Sequence, residues 1–241
     1  MAGKTALISG SSKGIGAAIA LELSSPICAD LSTTEGPEEL VRQAVERFKY
    51  IDVLVNNAGL VPLAPLWDAD VESWDKAMAL NARGTFLLTK AVLPHLTPYL
   101  PSSLPRLSGV LNGSRIIIVG SAASRTPNPS QGVYAATKGA LDAMLKVWAK
   151  ELPPKYGCTV NAVGPGPVLN DNFTSLLIDD FEKVRQQADR LTPVEGAFAS
   201  IEDIAWAVAF LAEERSRWIN GVYLPLSGGR YILQKLGRHS D

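Results

Sequence analysis

The sequence predicts an α/β fold: a doubly wound, Rossmann-like parallel sheet in three layers, built as one domain. Two observations carry this. Short β-rich runs alternate strictly with helical patterns, the order required by a parallel sheet covered on both faces. The runs ALIS, DVLV and RIIIV are continuously apolar, as strands buried on both faces should be, and they are expected to form the sheet's centre. A length of 241 residues suits one such domain, and no shift in composition marks a second.

Taken in order, KTALIS is the first strand, and it runs into a turn at Ser9 to Gly16 and the helical pattern AAIALEL. PICADL reads as a second strand, EELVRQAVERF as a helix and IDVLVNNAG as a third strand. A long helix is expected over Val71 to Leu96, then the strand RIIIVGS, a second long helix over Tyr134 to Leu152, and the strand CTVNAVGPG. IEDIAWAVAFLA is the last helix and GVYLPLSGG the last strand. The stretch Pro94 to Gly113 holds four prolines and two glycines, which makes residues 97–113 a surface loop. Residues 230–241 form a tail with too little apolar surface to offset its ordering entropy.

Charge and composition narrow the function. With 23 Lys+Arg against 24 Asp+Glu, the chain offers nothing to a nucleic-acid backbone or an anionic membrane surface, and a small neutral substrate suits it better. Cys28 and Cys158 each lie among apolar neighbours in an expected strand, without metal-ligand spacing, so buried reduced thiols and no metal site are expected. The N-terminus enters a strand almost at once, with no leader, and no apolar run approaches the roughly 18 residues of a membrane span. A cytoplasmic protein is the expectation.

Three local patterns carry chemistry. SGSSKGIG, Ser9 to Gly16, follows a strand and opens a helix; Gly10, Gly14 and Gly16 would let backbone approach a pyrophosphate at a helix N-terminus. The same residues match a G-x-S-x-G nucleophile elbow at Ser12, with His95 or His239 as base. An elbow needs strands and an oxyanion loop upstream, and too few residues precede Gly10. Tyr134 and Lys138 stand four apart on a helix, so a phenol and an ammonium share one face, and a neighbouring cation lowers a phenol's pKa. Ser121 ends a buried strand on the side where parallel sheets bind ligands.

Together these residues resemble the short-chain dehydrogenase/reductase family in its compact single-domain branch, similar to 3-oxoacyl-carrier-protein reductases, from about Lys4 to Gly229. SGSSKGIG resembles the family's TGxxxGxG, with Ser9 for Thr. Asn56-Asn57-Ala58-Gly59 matches its NNAG, and GPGPV, Gly164 to Val168, its segment against the nicotinamide. The resemblance implies hydride transfer between NAD(P)H and a ketone or secondary alcohol. Tyr134 is then the acid-base group, Lys138 binds the nicotinamide ribose and lowers the Tyr134 pKa, Ser121 bonds the reacting oxygen, and Asn81 holds a water of the proton relay. Cofactor contacts are expected from Gly10, Ser12, Lys13, Gly14, Ile15, Gly16, Asp30, Leu31, Asn56, Ala58, Gly59, Tyr134, Lys138, Pro165, Gly166 and Val168. The two long helices match those that build the family's dimer and tetramer faces, so a homodimer or homotetramer is implied.

The chain departs from that pattern between the glycine turn and NNAG, where only forty positions separate Gly16 from Asn56 and one βα unit is missing. The lost strand normally reads the adenosine 2′ position. Asp30 lies twenty residues beyond Gly10, where an acidic side chain selects NAD; Lys13 in the turn could meet a 2′-phosphate. The balance leans to NADP over NAD. To avoid an unpaired slot in the sheet, PICADL is expected to pair directly with the first strand and carry Asp30 toward the ribose. A second departure is Asn170, where the family has Thr. The segment Leu169 to Ala199, with Phe173, Leu176, Leu177, Ile178, Phe181 and Phe198, should cover the site and favour an apolar or aromatic substrate, although half of these side chains would serve simply to pack the loop. The rival reading is a non-catalytic or cofactor-impaired family member acting as a binding or scaffold protein. An absent ladder at the first strand would favour it.

Overall fold

The computed structural model describes residues 3–20, 27–98, 113–169, 181–196 and 198–230. Its centre is a parallel sheet of five strands, β1 (Ala6–Ile8), β2 (Val53–Asn56), β3 (Arg115–Val119), β4 (Thr159–Pro165) and β5 (Tyr223–Leu226), hydrogen-bonded in that order. Three layers result. Leu54, Ile116, Ile118 and Val160 face one way and meet α2 (Gly36–Phe48), α4 (Thr85–Val92) and α5 (Gly132–Tyr156) through Val41, Leu88, Val92, Leu141 and Leu145. Val53, Val55, Ile117 and Val119 face the other way, onto α1 (Gly14–Ala20) and α7 (Ile201–Ala212) through Ile15, Ile19, Ile204, Val208 and Leu211. Continuous apolar runs are what a strand with helices on both faces needs, because successive side chains point to opposite layers.

The long helix expected over Val71 to Leu96 forms with a change of pitch. It runs as α3 (Val71–Ala77), a π segment (Met78–Gly84), α4, and a single 3₁₀ turn at Leu93–His95. Asp70 caps it by accepting the Ser73 N–H. The second long helix, α5, extends past the expected end to Tyr156 and closes on Gly157 in the left-handed conformation. A further helix, α6 (Phe181–Leu191), precedes α7, which opens on a capping box between Ser200 and Asp203.

Two expectations about the first strands are corrected. Ile27–Asp30 is not a strand and makes no ladder with β1; among the described residues β1 pairs with β2 alone, Leu7 opposite Leu54. Ile27 and Ala29 pack instead against the core on the α2 and α4 face, and at Asp30 the chain bends: Thr33 donates to the Asp30 carbonyl through N–H and hydroxyl, and Ser32 to its carboxylate. The apolar side chains thus find burial on the face of the sheet without needing its edge. β1 is consequently an edge strand, so ALIS does not join DVLV and RIIIV at the centre. Cys28 is exposed, contrary to expectation; Cys158 is buried, and burial pushes its thiol up to about 12. Most of the expected surface loop and nearly all of the tail lie outside the described residues.

Candidate active site

Most of the candidate side chains lie toward the carboxyl ends of the strands, where a parallel sheet leaves backbone groups and loops free to form a crevice. Ser9, directly after β1, is buried, and its Oγ accepts the N–H groups of Asn57 (2.9 Å) and Ala58 (3.0 Å) while donating to the Val55 carbonyl (3.3 Å). Asn57 answers by donating its side-chain amide to the carbonyls of Ser9 (3.0 Å) and Gly10 (3.2 Å). The glycine turn is therefore bolted to the NNAG loop by a hydroxyl and an amide. Sequence reasoning named Asn56, Ala58 and Gly59 but missed Asn57, whose signal was its place within the same motif.

The three glycines of the turn are needed for different reasons. At Gly10, a Cβ would lie 2.8 Å from the Ala58 Cα; at Gly16, 2.2 Å from the Gly10 carbonyl oxygen. Both positions are closed by backbone. Gly14 instead has φ +59° and nothing within 4 Å of a Cβ, so its face is open. Ser12 and Lys13 are exposed beside it, while Ile15 turns back into the core.

Ser121, after β3, begins a 3₁₀ turn (Ala122–Ser124), and its Oγ accepts the Ala123 N–H at 3.2 Å. With a lone pair so occupied, the hydroxyl hydrogen is left to donate. It meets the Tyr134 phenol, whose pKa is raised by burial and drawn back down by the Ser121 hydrogen bond. One turn along α5, Lys138 is buried, its Nζ 5.7 Å from the Tyr134 ring centroid and donating to the Val119 carbonyl at 2.9 Å. Burial without a counter-charge pulls its pKa to about 8. In the chain itself burial dominates: it raises the Tyr134 pKa and lowers that of Lys138, which favours the neutral phenol.

Asn81 sits in the middle of the π segment, fully buried. Its Oδ1 accepts the Leu60 N–H (2.9 Å), and its amide donates to the Leu60 carbonyl (2.9 Å) and Thr137 Oγ1 (3.0 Å), which ties the NNAG loop to α5. A Cβ at Gly59 would come within 3.2 Å of Asn81 Oδ1 and 3.6 Å of Lys138 Nζ, so these three converge on one spot. Asn56 turns away, donating to Thr89 Oγ1 at 3.0 Å, with its Oδ1 buried and unpartnered among the described residues. At the end of β4, Pro165 and the following Gly166 lie against β5, with Gly166 N–H on the Leu226 carbonyl, and Val168 bridges to Ala199.

Asp30 and Leu31 are not carried toward β1. Leu31 is buried, its carbonyl so close to Gly84 that a Cβ there would lie 2.5 Å away, and Arg83 donates to the Ser32 carbonyl at 2.6 Å. Asp30 is exposed at the edge of the π segment, with its pKa lowered by the Ser32 hydrogen bonds. Of the expected cover, Phe181 and Phe198 stack on each other at 5.9 Å; Asn170, Phe173, Leu176, Leu177 and Ile178 lie outside the described residues. The hydrolase reading fails on geometry as well. His95 accepts from Ile51, ahead of β2, at the opposite end of the sheet from Ser12, and His239 lies outside the described residues.

The protein-family model described as enoyl-(acyl carrier protein) reductase matches residues 12–230. The short-chain dehydrogenase/reductase FrzI of Cladobotryum sp is 34% identical, over 94% of this chain and 95% of its own. The chain belongs to the short-chain dehydrogenase/reductase family. The 3-oxoacyl-[acyl-carrier-protein] reductase FabG of Staphylococcus epidermidis is similarly related, 31% identical over 95% of this chain and 99% of its own. The crystal structure of the angucycline C-6 ketoreductase LanV with bound NADP superposes with a TM-score of 0.81 at 30% identity, over 95% of this chain and 96% of that one. This short-chain dehydrogenase/reductase is therefore an NAD(P)-dependent oxidoreductase that works between a carbonyl and an alcohol.

Proposed function

We propose that the chain reduces an apolar ketone with NADPH, Tyr134 giving the proton to the nascent alkoxide. The observation that carries this is the hydrogen bond between the Ser121 hydroxyl and the Tyr134 phenol, with the buried Lys138 ammonium beside them on the Val119 carbonyl at the end of β3. Two neighbouring proton donors suit a carbonyl oxygen, where charge develops when the carbon is reduced. They suit a carbon–carbon double bond less well, since there the proton must end on carbon.

The residues present fit a dinucleotide. The open face of Gly14 at the start of α1 admits a pyrophosphate to free N–H groups, and Lys138 has donors beyond the one given to Val119 for ribose hydroxyls. When bound, the nicotinamide supplies the hydride. Ser121 then orients the carbonyl by donating to its oxygen. Tyr134, kept neutral by burial, transfers its phenolic proton to that oxygen, and Lys138 stabilises the phenolate that results. Asn81 holds the Leu60 loop against Thr137, which fixes the helix turn carrying Tyr134.

Support for an apolar or aromatic substrate comes from Phe181 and Phe198 beyond β4, and LanV, named an angucycline C-6 ketoreductase, supports a ketone. A homodimer or homotetramer is our reading of a groove of about 1000 Å³ between the π segment and α5, lined by Leu80, Phe86 and Met144. Among the described residues no helix is long and apolar enough to cross a membrane, and we place the enzyme in the cytoplasm. The rival, a scaffold that has lost cofactor binding, finds its one argument in the missing ladder at β1; against it, the relatives are named reductases, and Asn81, Ser121, Tyr134 and Lys138 are all present. Titration of the protein's fluorescence with NADPH, followed by turnover of a panel of aromatic ketones, tests the reading. Micromolar binding with ketone turnover is expected; no binding of NADPH or NADH below millimolar concentration would overturn it.

A further inference from the structure

The last strand places a tyrosine against the catalytic serine. Tyr223, on β5, is buried, and its ring crosses β4 and the end of β3 over two glycines: a Cβ at Gly164 would lie 2.3 Å from its Oη, and one at Gly120 3.2 Å from its Cε2. Any side chain at either position would push the ring out. The Oη so delivered donates to the Ser121 carbonyl at 2.5 Å and lies 3.2 Å from Ser124 Oγ. That carbonyl also takes the N–H (3.0 Å) and the hydroxyl (2.9 Å) of Ser124.

The ring is closed in from its other side. The Arg125 guanidinium lies over it at 3.8 Å from the centroid, and Arg125 pairs at 2.9 Å with Asp142 on α5, which Lys146 also engages at 3.0 Å. Asp142 is two turns beyond Tyr134 on the same helix. The Ser121 turn, the last strand and the helix of the acid-base tyrosine are thereby joined through one phenol. Ser121 is held at its carbonyl by Tyr223 and at its Oγ by Ala123, so its hydroxyl has little freedom left to turn away.

We propose that Tyr223 is a positioning residue for the reduction, its hydroxyl holding the Ser121 carbonyl so that the Ser121 hydroxyl keeps one orientation toward the reacting oxygen and Tyr134. The proposal rests on the reading of Ser121 and Tyr134 as the reacting pair. Positioning of this kind matters because a donor displaced by a fraction of an ångström no longer follows the developing charge.

The test is Tyr223→Phe, which keeps the ring, its contact with Arg125 and its packing against Gly164, and removes only the hydroxyl. Turnover of the ketone should fall about tenfold with KM and NADPH affinity unchanged. On a Ser121→Ala background, the same substitution should subtract nothing further from residual turnover. Unchanged kcat in Tyr223→Phe, alongside a strongly impaired Ser121→Ala, would overturn the positioning role alone. An active Ser121→Ala would overturn the site reading beneath it. Loss of NADPH binding in Tyr223→Phe would assign the residue to packing and likewise reject the proposal.

Discussion

The ammonium of Lys138 is hydrogen-bonded to the carbonyl of Val119 at 2.9 Å, inside a protein interior that gives it no carboxylate partner among the described residues. A cation kept there costs the fold stability, and its lowered pKa of about 8 records that cost. Between pH 8 and the unfolded value of 10.5, the unfolded chain holds more protons at this position, so stability rises with pH across that window. Below pH 8 the cost is present in full, roughly 3 kcal/mol from the 2.5-unit depression.

Lys138→Met should therefore abolish turnover while raising unfolding stability at pH 7. The gain is about 2 kcal/mol once the hydrogen bond to Val119, worth about 1 kcal/mol, is subtracted. Urea denaturation of both proteins at pH 7 and pH 10 checks this. The advantage should shrink at pH 10, where the wild-type lysine is largely neutral when folded. A difference independent of pH would show that burial of charge is not its source.

Tyr134→Phe removes only the transferable proton, so turnover should fall by at least a hundredfold while NADPH binds nearly as before. Because burial raises the Tyr134 pKa, the wild type holds the acid ready at neutral pH for reduction. Alcohol oxidation needs the phenolate and should accelerate as pH rises. Rates in both directions between pH 6 and 10 would show it; oxidation that falls with pH would exclude Tyr134 as the base.

The glycine turn offers a paired comparison. Gly16→Ala drives a methyl to 2.2 Å from the Gly10 carbonyl and should cost about 1–3 kcal/mol or more of stability, together with cofactor affinity. At Gly14 the space is open and the penalty is that of φ +59°, about 1–2 kcal/mol, yet the methyl covers the face a pyrophosphate would approach. Gly14→Ala should thus lose NADPH affinity out of proportion to its stability, as calorimetry with and without NADPH would reveal. Equal losses in both variants would remove Gly14 from the phosphate site.

What could be read from the sequence was whatever is local or fixed by chain order. Ser9 to Gly16 lies between a strand and a helix, and Tyr134 and Lys138 share a helix face, so spacing alone brings those atoms together. The structure adds the ties between distant segments. Asn57 reaches the Ser9 and Gly10 carbonyls across two strands, and Tyr223 reaches Ser121 across three, and neither pairing has a sequence period to announce it. Tyr223 stands in an apolar run whose pattern says only that it is buried. PICADL failed for a related reason: its composition is that of a strand, but a strand exists only as part of a ladder, and Ile27 and Ala29 reach the core from the face of the sheet. The burial that raises the Tyr134 pKa was not legible, because a motif shows the neighbouring charge and not the depth at which the phenol sits.

The last prediction concerns the adenosine end of the cofactor, where the missing unit leaves β1 at the edge. Asp30 accepts the Ser32 N–H (2.9 Å) and hydroxyl (2.7 Å) on Oδ1, and its segment is held against the π helix by Arg83 and by the close approach of Leu31 to Gly84. Held there and not at the end of β1, the carboxylate is poorly placed for a ribose hydroxyl. Lys13 is exposed within the glycine turn and leaves a cation available to a 2′-phosphate. Lys13→Ala should weaken NADPH by about 1.5–3 kcal/mol, roughly tenfold to a hundredfold, with little change for NADH. Asp30→Ala should leave the preference between the two cofactors where it is, since the carboxylate it removes serves the local turn. Dissociation constants for both cofactors, measured in wild type and in each variant, decide the matter. Equal losses for NADPH and NADH in Lys13→Ala would remove Lys13 as the discriminator, and a specific loss of NADH in Asp30→Ala would restore Asp30 to that role.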